Sequence, residues 1–307
     1  MKLSIVTINY NNAEGIRMTM ESVLKQTYRD IEYIVVDGAS TDGSVDVIRE
    51  MSASFNDGMS RDKSLNDGIS LIWTSEPDKG IYNAMNKGIE IALGRRIVNS
   101  FKRSELVEDK NKELCDYIQI LNSGDILASD DVVERMVAAL DENNNPDILY
   151  GNMIKEWPNG TRVNDKCGTG HLSMLSFYFG TLNHDSAYIR RNLFERFGFY
   201  DETLKIVSDW KWYMQTIPLG GITPVYVDID VTIFDMTGVS ESNTAFWKVE
   251  RRPVLEELVP PMILADYDRY GEDMRMMDRL RRYHMYGLVR FIERVLFKFE
   301  KWHILRR

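Results

Sequence analysis

The strongest constraint on this chain is the way short apolar runs alternate with helix-period segments through its first half. Leu3–Ile8 reads as a buried strand, and residues 14–26 follow as a helix with Ile16, Met20, Val23 and Leu24 on one side. Ile31–Val36, Ile69–Trp73, Tyr117–Leu121 and Ile148–Tyr150 are further strands. Between them lie helices over Ser44–Met51, Ile81–Leu93 and a segment capped by Ser129 or Asp130 and running to Leu140. This spacing predicts an α/β fold, a mostly parallel sheet with helices on both faces. In such sheets ligands bind beyond the C-terminal strand ends, at the switch point.

Two stretches break the rhythm. Residues 52–68 are polar and contain glycine, so they read as a surface loop. Residues 94–115 are charged and sit where a short link is normal, so they read as an insertion. After residue 151 the alternation weakens into polar turns, two short strands and a helix near 207–217. Residues 245–307 are almost wholly helical in composition.

Composition excludes several classes of function. A hydrophobic fraction of 44% with 28% charged residues supports a real core rather than a disordered chain. The 47 acidic against 38 basic side chains give a net −9, the wrong sign for wrapping nucleic acid. Two cysteines, Cys115 and Cys167, make no disulfide framework and no CxxC metal spacing, which suits a reduced, cytoplasmic setting. No signal-peptide core or bilayer-length apolar run is visible.

Three acidic turns follow strand ends: Asp37 to Asp42, Glu76 to Gly80, and Asn122 to Asp125. Carboxylates on such a rim can hold a base or ribose by hydrogen bonds and a hard cation by charge. Asp, Gly and Ser are also ordinary turn residues, but three successive turns of this kind point to a site. There is no GxGxxG after the first strand and no GxxxxGK[ST], so dinucleotide and P-loop chemistry lack their glycine cradle.

The wording of these turns carries a resemblance. SIVTINYNNAEGIRMTMESVLKQTYRDIEYIVVDGASTDGS resembles the opening of family 2 glycosyltransferases with the GT-A fold. EPDKGIYNAMNKGI followed by LNSGD resembles the subgroup that builds bacterial surface polysaccharides, and the likeness covers about residues 1–240. It implies a Rossmann-like GT-A domain over 1–240, with a nucleotide-sugar half at 1–126 and an acceptor half at 127–240. A helical C-terminal extension would occupy 241–307.

Carried over by position, the resemblance places Thr7, Asn9 and Tyr10 at the nucleotide end of the pocket. Asp37 would accept from a pyrimidine N–H, with Ser40 and Asp42 nearby at the nucleoside. Asp78 and Lys79 would face the base or diphosphate, with Asn86 close by. Asp125 would be the surviving carboxylate of the DxD metal motif, whose first position is Asn122 here. One protein carboxylate predicts weak affinity for free Mg²⁺ or Mn²⁺, rising when the sugar nucleotide adds its phosphate oxygens.

Glycosyl transfer with inversion needs a carboxylate to take the acceptor hydroxyl proton. Asp209, in Val207-Ser208-Asp209-Trp210, matches the place of that base, with Trp210 beside it at the donor or acceptor. Ser208 or Asp209 reads equally as a helix N-cap, worth about 1 kcal/mol. Ser208 also departs from the Glu that many relatives carry. His184 and Asp185 fall where relatives carry His-Gln. His184 would position the acceptor or a donor phosphate, or is a satisfied structural histidine.

The net charge is uneven. Residues 281–307 carry eight Lys/Arg against Glu293 and Glu300, a local +6, and removing it from −9 leaves −15 on the rest. Leu288, Ile292, Val295, Leu296, Phe299 and Trp302 recur at spacings of three and four among Arg290, Arg294, Lys298 and Lys301. A basic amphipathic helix over 285–305 suits an anionic membrane surface, or packing on its own domain or on a second subunit of a homodimer. The expectation is an inverting, metal-dependent transferase moving sugar from a nucleotide-sugar, a UDP-sugar by preference, to a surface-glycan or lipid-linked saccharide. Two alternatives stand beside it. A non-catalytic nucleotide-sugar-binding subunit of a synthase complex is favoured if Asp125 and Asp209 do not converge. A sugar nucleotidyltransferase would need a Gly-rich N-terminal loop with Arg and Lys, which Asn9–Gly15 lacks.

Overall fold

The computed structural model describes residues 1–56, 68–99, 103–166, 172–236, 244–283 and 285–304. Most of the expected 52–68 loop, positions 100–102 of the insertion, Cys167, His171 and residues 305–307 of the basic tail lie outside the described residues. The strands are β1 (Leu3–Asn9), β2 (Ile31–Asp37), β3 (Ser70–Ser75), β4 (Ile97–Val98), β5 (Ser104–Glu105), β6 (Tyr117–Ile120), β7 (Ile126–Leu127), β8 (Ile148–Glu156), β9 (Arg162–Asp165), β10 (Ala187–Arg190) and β11 (Val225–Asp235). The helices are α1 (Ala13–Leu24), α2 (Ser44–Asn56), α3 (Ile81–Ala92), α4 (Val132–Glu142), α5 (Met174–Phe179), α6 (Asn192–Phe197) and α7 (Ser208–Thr216). Three more close the chain: α8 (Thr244–Leu258), α9 (Pro261–Arg282) and α10 (Tyr286–Ile304).

The order across the large sheet is β3-β2-β1-β6-β10-β8-β11-β7, with β9 paired to β8. The run β3-β2-β1-β6 is parallel throughout, as the alternation predicts. Beyond it the sheet is mixed: β10 runs against both β6 and β8, while β8 and β11 are parallel. β7 and β9 run antiparallel to β11 and β8. That reversal was not readable from the parallel first half, because it is set by non-local pairing.

β1 and β2 are buried at every position, as expected of central strands covered on both faces. One face packs Ile16, Met20 and Val23 of α1 and Val133, Met136 and Leu140 of α4. The other packs Met85 and Ile89 of α3, Phe194 of α6, and Trp210, Trp212 and Met214 of α7. Gly88 brings α3 close to the sheet, since a Cβ there would stand 2.2 Å from Val6 Cγ1. Val254, Leu255 and Leu264 of α8 and α9 join that same core, so the C-terminal helices begin as part of the body.

Local ends follow capping chemistry, with one departure from expectation. Asn12 caps α1, its side chain accepting from the Gly15 N–H at 3.1 Å. Asp131, rather than Ser129 or Asp130, occupies the N-cap of α4, and the Ser129 hydroxyl instead donates to Asp131 Oδ1. Asn143 at the C-cap of that helix donates to the Ala139 carbonyl, and Asn144 and Asn145 then turn the chain at positive φ.

Candidate active site

Because β1, β2, β3 and β6 are parallel, their C-terminal ends share one edge of the sheet. β10 is antiparallel to β6, so the turn that enters it, His184–Ser186, arrives at that same edge. Two halves of the chain therefore meet on one rim.

The first part of the rim is a carboxylate held from all sides. Asp37, fully buried at the end of β2, accepts from Asn9 Nδ2 at 2.8 Å and Ser40 Oγ at 2.6 Å through Oδ1. Its Oδ2 accepts from the Ser40 N–H at 2.9 Å and Ser75 Oγ at 2.7 Å. The carboxylate thus ties the ends of β1, β2 and β3 together. The turn it organises holds Ala39 at φ 61°, a left-handed conformation that costs free energy in a residue with a Cβ. Thr7 lies deeper, its hydroxyl accepting from Tyr33 at 3.1 Å in the sealed core. Tyr10, by contrast, is 67% exposed on the rim. Asp42 is exposed and accepts from the backbone N–H groups of Ala13 and Ser44, joining the starts of α1 and α2. The Ser44 hydroxyl bond holds it below the usual carboxylate range.

The β3–α3 turn abuts this rim. Asp78 accepts from the Gly80 N–H at 2.9 Å, and its Oδ2 stands 2.6 Å from where a Cβ on Gly38 would lie. Only glycine allows that approach. Lys79 is exposed beside it. Asn86 is elsewhere: it is buried, donating to the Tyr200 carbonyl at 2.9 Å and Glu202 Oε1 at 3.0 Å and accepting from the Tyr200 N–H at 3.0 Å. It pins the loop before α7 and leaves no polar atom for the nucleotide pocket.

The second part of the rim is a chain of acid groups. Asp209 sits in the first turn of α7, one residue past Ser208. The N-cap is Val207, so Asp209 is not the cap. Its Oδ1 accepts from Tyr82 Oη at 2.9 Å, and its Oδ2 lies 3.4 Å from His184 Nδ1. Burial works against its charge, but His184, Tyr82 and the Trp210 N–H outweigh it and hold Asp209 below the usual carboxylate range. The helix N-terminus adds to that anion's stability. His184 Nε2 lies 3.1 Å from Asp185 Oδ1, and Asp185 is 2% exposed. Burial opposes the imidazolium, yet Asp185 and Asp209 on its two sides raise His184 well above its ordinary value.

Asn122, just past β6, donates to Asp185 Oδ1 at 3.3 Å and faces His184 Nε2 at 3.0 Å. Its Oδ1 is buried with no hydrogen-bond partner in the protein. Asp125 is 4% exposed and accepts from the Asp235 N–H at 2.9 Å. Burial first, then the charge of Asp185, push Asp125 well above the carboxylate range. A buried carboxylate whose charge is disfavoured, close to a second carboxylate and an unsatisfied amide oxygen, is donor chemistry that a hard cation satisfies. Among the described residues no three His, Cys, Asp or Glu side chains form a complete metal cage. The chemistry present therefore fits a divalent cation that takes its remaining oxygens from a ligand.

Trp210 is 1% exposed and donates to the Phe177 carbonyl at 2.8 Å, which makes it a core anchor behind Asp209. Arg251 of α8 lies over its ring at 4.5 Å, and burial lowers that guanidinium to about 10 despite the pull of Asp209. Neither Tyr82 nor Arg251 was singled out from sequence. Tyr82 lies inside the quoted EPDKGIYNAMNKGI segment and was legible there; Arg251, in the helical C-terminal stretch, carried no local signal.

Residues 4–100 match the family model described as glycosyl transferase family 2. Over those residues the chain carries the family 2 glycosyltransferase pattern. A glycosyltransferase of Mycobacterium tuberculosis H37Rv is 27% identical over 264 residues, covering 84% of this chain and 85% of the relative. A PGL/p-HBAD biosynthesis glycosyltransferase of Mycobacterium bovis BCG is 24% identical over 241 residues, covering 78% and 79%. Among solved structures, Staphylococcus aureus TarS 1–349 with UDP-GlcNAc superposes at a TM-score of 0.58 and 19% identity, over 85% of this chain and 68% of that one. Against a further crystal structure of TarS 1–349, this chain covers 60% of that chain's length, at a TM-score of 0.54 and 18% identity. The mannosyltransferase PcManGT of Pyrobaculum calidifontis, with GDP-Man and Mn²⁺, gives 0.53 at 16% identity, over 81% and 60%. These likenesses show a GT-A type of fold.

Proposed function

We propose that this glycosyltransferase transfers sugar with inversion from a nucleotide-sugar, by preference a UDP-sugar, to a hydroxyl of a surface-glycan or lipid-linked saccharide. The observation that carries the reading is the placement of Asp209. It is ionised, fixed at the start of α7 by Tyr82, and on the same rim as Asn122 and Asp125. The TarS complexes with UDP and UDP-GlcNAc support the UDP preference, and the Mn²⁺ complex of PcManGT supports a metal.

In this reading the nucleoside sits over the Asp37 turn. Asn9, Ser40 and Asp37 act by shaping that turn, with the exposed Tyr10, Asp42 and Lys79 and the half-buried Asp78 nearest the ligand. Asp125, with the Asn122 amide oxygen, would hold Mg²⁺ or Mn²⁺. Bound there, the cation would offset the charge of the donor diphosphate and of the leaving nucleoside diphosphate. Asp209 takes the acceptor hydroxyl proton as that oxygen attacks the anomeric carbon from the face opposite the diphosphate. Its depressed basicity matches a base needed only once the hydroxyl is acidified by bond formation.

A lipid-linked acceptor would be met at a membrane surface through α10. Phe291, Ile292, Leu296 and Phe297 are exposed together with Arg290, Arg294 and Lys298. No helix among the described residues is long and apolar enough to cross a bilayer, so the association proposed is peripheral.

A thermal-shift screen of nucleotide-sugars with and without Mn²⁺, followed by transfer assays, tests the reading. Asp209→Asn is expected to abolish transfer while leaving UDP binding intact. Full transfer by that variant would remove Asp209 from the role, and metal-independent turnover in excess EDTA would remove the cation.

A further inference from the structure

The reading above leaves His184 and Asp185 without a task, although both are enclosed ionisable groups on the rim. His184 is 16% exposed and Asp185 2%. The turn that carries them is fixed at three points. Gln119 Nε2 donates to the Asp185 carbonyl at 2.6 Å, Ser186 Oγ donates to the Asn152 carbonyl at 3.1 Å, and the Ala187 N–H donates to the His184 carbonyl at 3.1 Å. A backbone held this way has little freedom, so the imidazole is set by the protein rather than by a ligand.

We infer that His184 is a positioning residue for the base: its Nδ1 side fixes Asp209 Oδ2 while Asp185 holds the ring from its Nε2 side. The inference rests on Asp209 as the base and goes beyond it, since it gives His184 no contact with donor or acceptor. Two distances carry it. Nδ1 is 3.4 Å from Asp209 Oδ2, and Nε2 is 3.1 Å from Asp185 Oδ1.

The geometry also says which oxygen does the work. Tyr82 Oη already donates to Asp209 Oδ1 at 2.9 Å, a well-formed bond. The Oδ2 contact to His184 is longer, of the kind that tightens when substrate closes a site. Oδ1 is therefore anchored and Oδ2 is steered, which leaves Oδ2 as the oxygen able to meet the acceptor proton. Without the imidazole the carboxylate can pivot about its Tyr82 anchor. Misplacement by about 1 Å at such a group costs on the order of 100-fold in rate.

The two ring nitrogens allow a test that separates positioning from general structural support. Asparagine places an amide N–H near the Nδ1 position of histidine, and glutamine places one near Nε2. The full-length chain carrying His184→Asn, His184→Gln or His184→Ala is compared with wild type and with Asp209→Asn. Three readouts are taken: Tm, affinity for UDP with Mn²⁺ by calorimetry, and kcat and KM for the UDP-sugar that wild type turns over fastest. Crystal structures of the three His184 variants report the Asp209 side-chain orientation, which needs no substrate.

The expected result is that His184→Asn keeps Asp209 on Tyr82 in its wild-type orientation and keeps kcat within about threefold, while Gln and Ala let it rotate and lower kcat by about 10–100-fold. UDP affinity and KM for the donor stay unchanged in all three. Equal losses in Asn and Gln, a better Gln than Asn, or an unmoved Asp209 in the Ala variant would overturn the inference. An active Asp209→Asn variant would instead overturn the assignment of the base, and a donor KM that rises with each His184 variant would return His184 to the donor phosphates.

Discussion

Tyr82 Oη donates to Asp209 Oδ1 at 2.9 Å, joining α3 to α7 across 127 positions of sequence. α3 starts at the β3–α3 turn, where Asp78 accepts from the Gly80 N–H beside the Asp37 turn, so one helix connects that rim to the group proposed as base. Burial pushes the Tyr82 hydroxyl well above its ordinary value and the Asp209 charge adds to this, so it remains a donor. Tyr82→Phe removes that bond and nothing else of the ring's packing on Tyr200. A hydrogen bond to a charged group is worth about 1.5–3 kcal/mol, so kcat is expected to fall roughly 10–100-fold. Steady-state kinetics check this, with donor KM unchanged.

Asp125 gives a prediction on stability. Its folded-state value lies above the unfolded one, so its contribution is fully present below the unfolded value and is lost as pH rises through the folded one. At neutral pH without metal the buried charge is therefore a cost. Asp125→Asn keeps an acceptor for the Asp235 N–H and removes the charge. Tm at pH 7.5 in EDTA is expected to rise by about 2–4 °C, the response to roughly 1 kcal/mol in a chain of this size. The rise in Tm that Mn²⁺ with UDP gives wild type is expected to vanish. A fall in Tm in EDTA would contradict the placement.

Asp201 shows the opposite sign. Burial disfavours its charge, but bonds from Thr203 and Lys211 hold it down at about 2. Its contribution is present above the unfolded value of 3.8 and is lost as pH falls through about 2. Lys211 Nζ bridges Asp201 at 2.9 Å and Glu257 at 2.9 Å, tying the loop before α7 to α8. Asp201→Asn should flatten the decline of Tm between about pH 4 and pH 2, a slope that scanning calorimetry measures.

Asn86 separates the geometry from the expectation based on resemblance. Its three bonds to Tyr200 and Glu202 are buried, so Asn86→Leu is expected to destabilise by about 1–3 kcal/mol per lost buried partnership. UDP affinity of the folded fraction should not change. A selective loss of UDP binding at wild-type Tm would return Asn86 to the nucleotide.

The α10 helix predicts salt-dependent lipid binding. Full-length protein should float with anionic liposomes at low salt, and a chain ended at Gly287 should not, each Lys or Arg being worth about 1 kcal/mol near such a surface. Equal flotation of the two would rule out this helix as the membrane contact.

Much of this was legible in the sequence for a physical reason. Parallel strands covered on both faces read as unbroken apolar runs, so β1, β2, β3 and β6 and the acidic turns at their ends follow from local pattern. Asp37 and Asp125 stand out because each lies in an acidic turn at a strand end, and Asp209 is singled out by the resemblance. Their local partners are less legible. Asn9, Ser40 and Ser75 occupy both oxygens of Asp37, and those partners come from two strands and the turn after β2. Thr7, Asn86 and Trp210 sit in the right segments with their polar atoms turned into the protein. The β10 reversal and the place of Arg251 depend on long-range packing, which no local spacing encodes.

The reversed course of β10 has a consequence for how the molecule is made. Partners that complete the rim are far apart along the chain: 127 positions for Tyr82 and Asp209, 63 for Asn122 and Asp185. Contacts of such span form late in folding, after the entropy of closing long loops has been met. The nucleoside turn, by contrast, is built from Asn9, Asp37 and Ser75, all within the amino-terminal strands. A chain caught with β10 and α7 undocked would hold a formed Asp37 turn with neither His184 nor Asp209 beside it. Transfer activity is therefore a measure of finished folding, and nucleotide affinity is not.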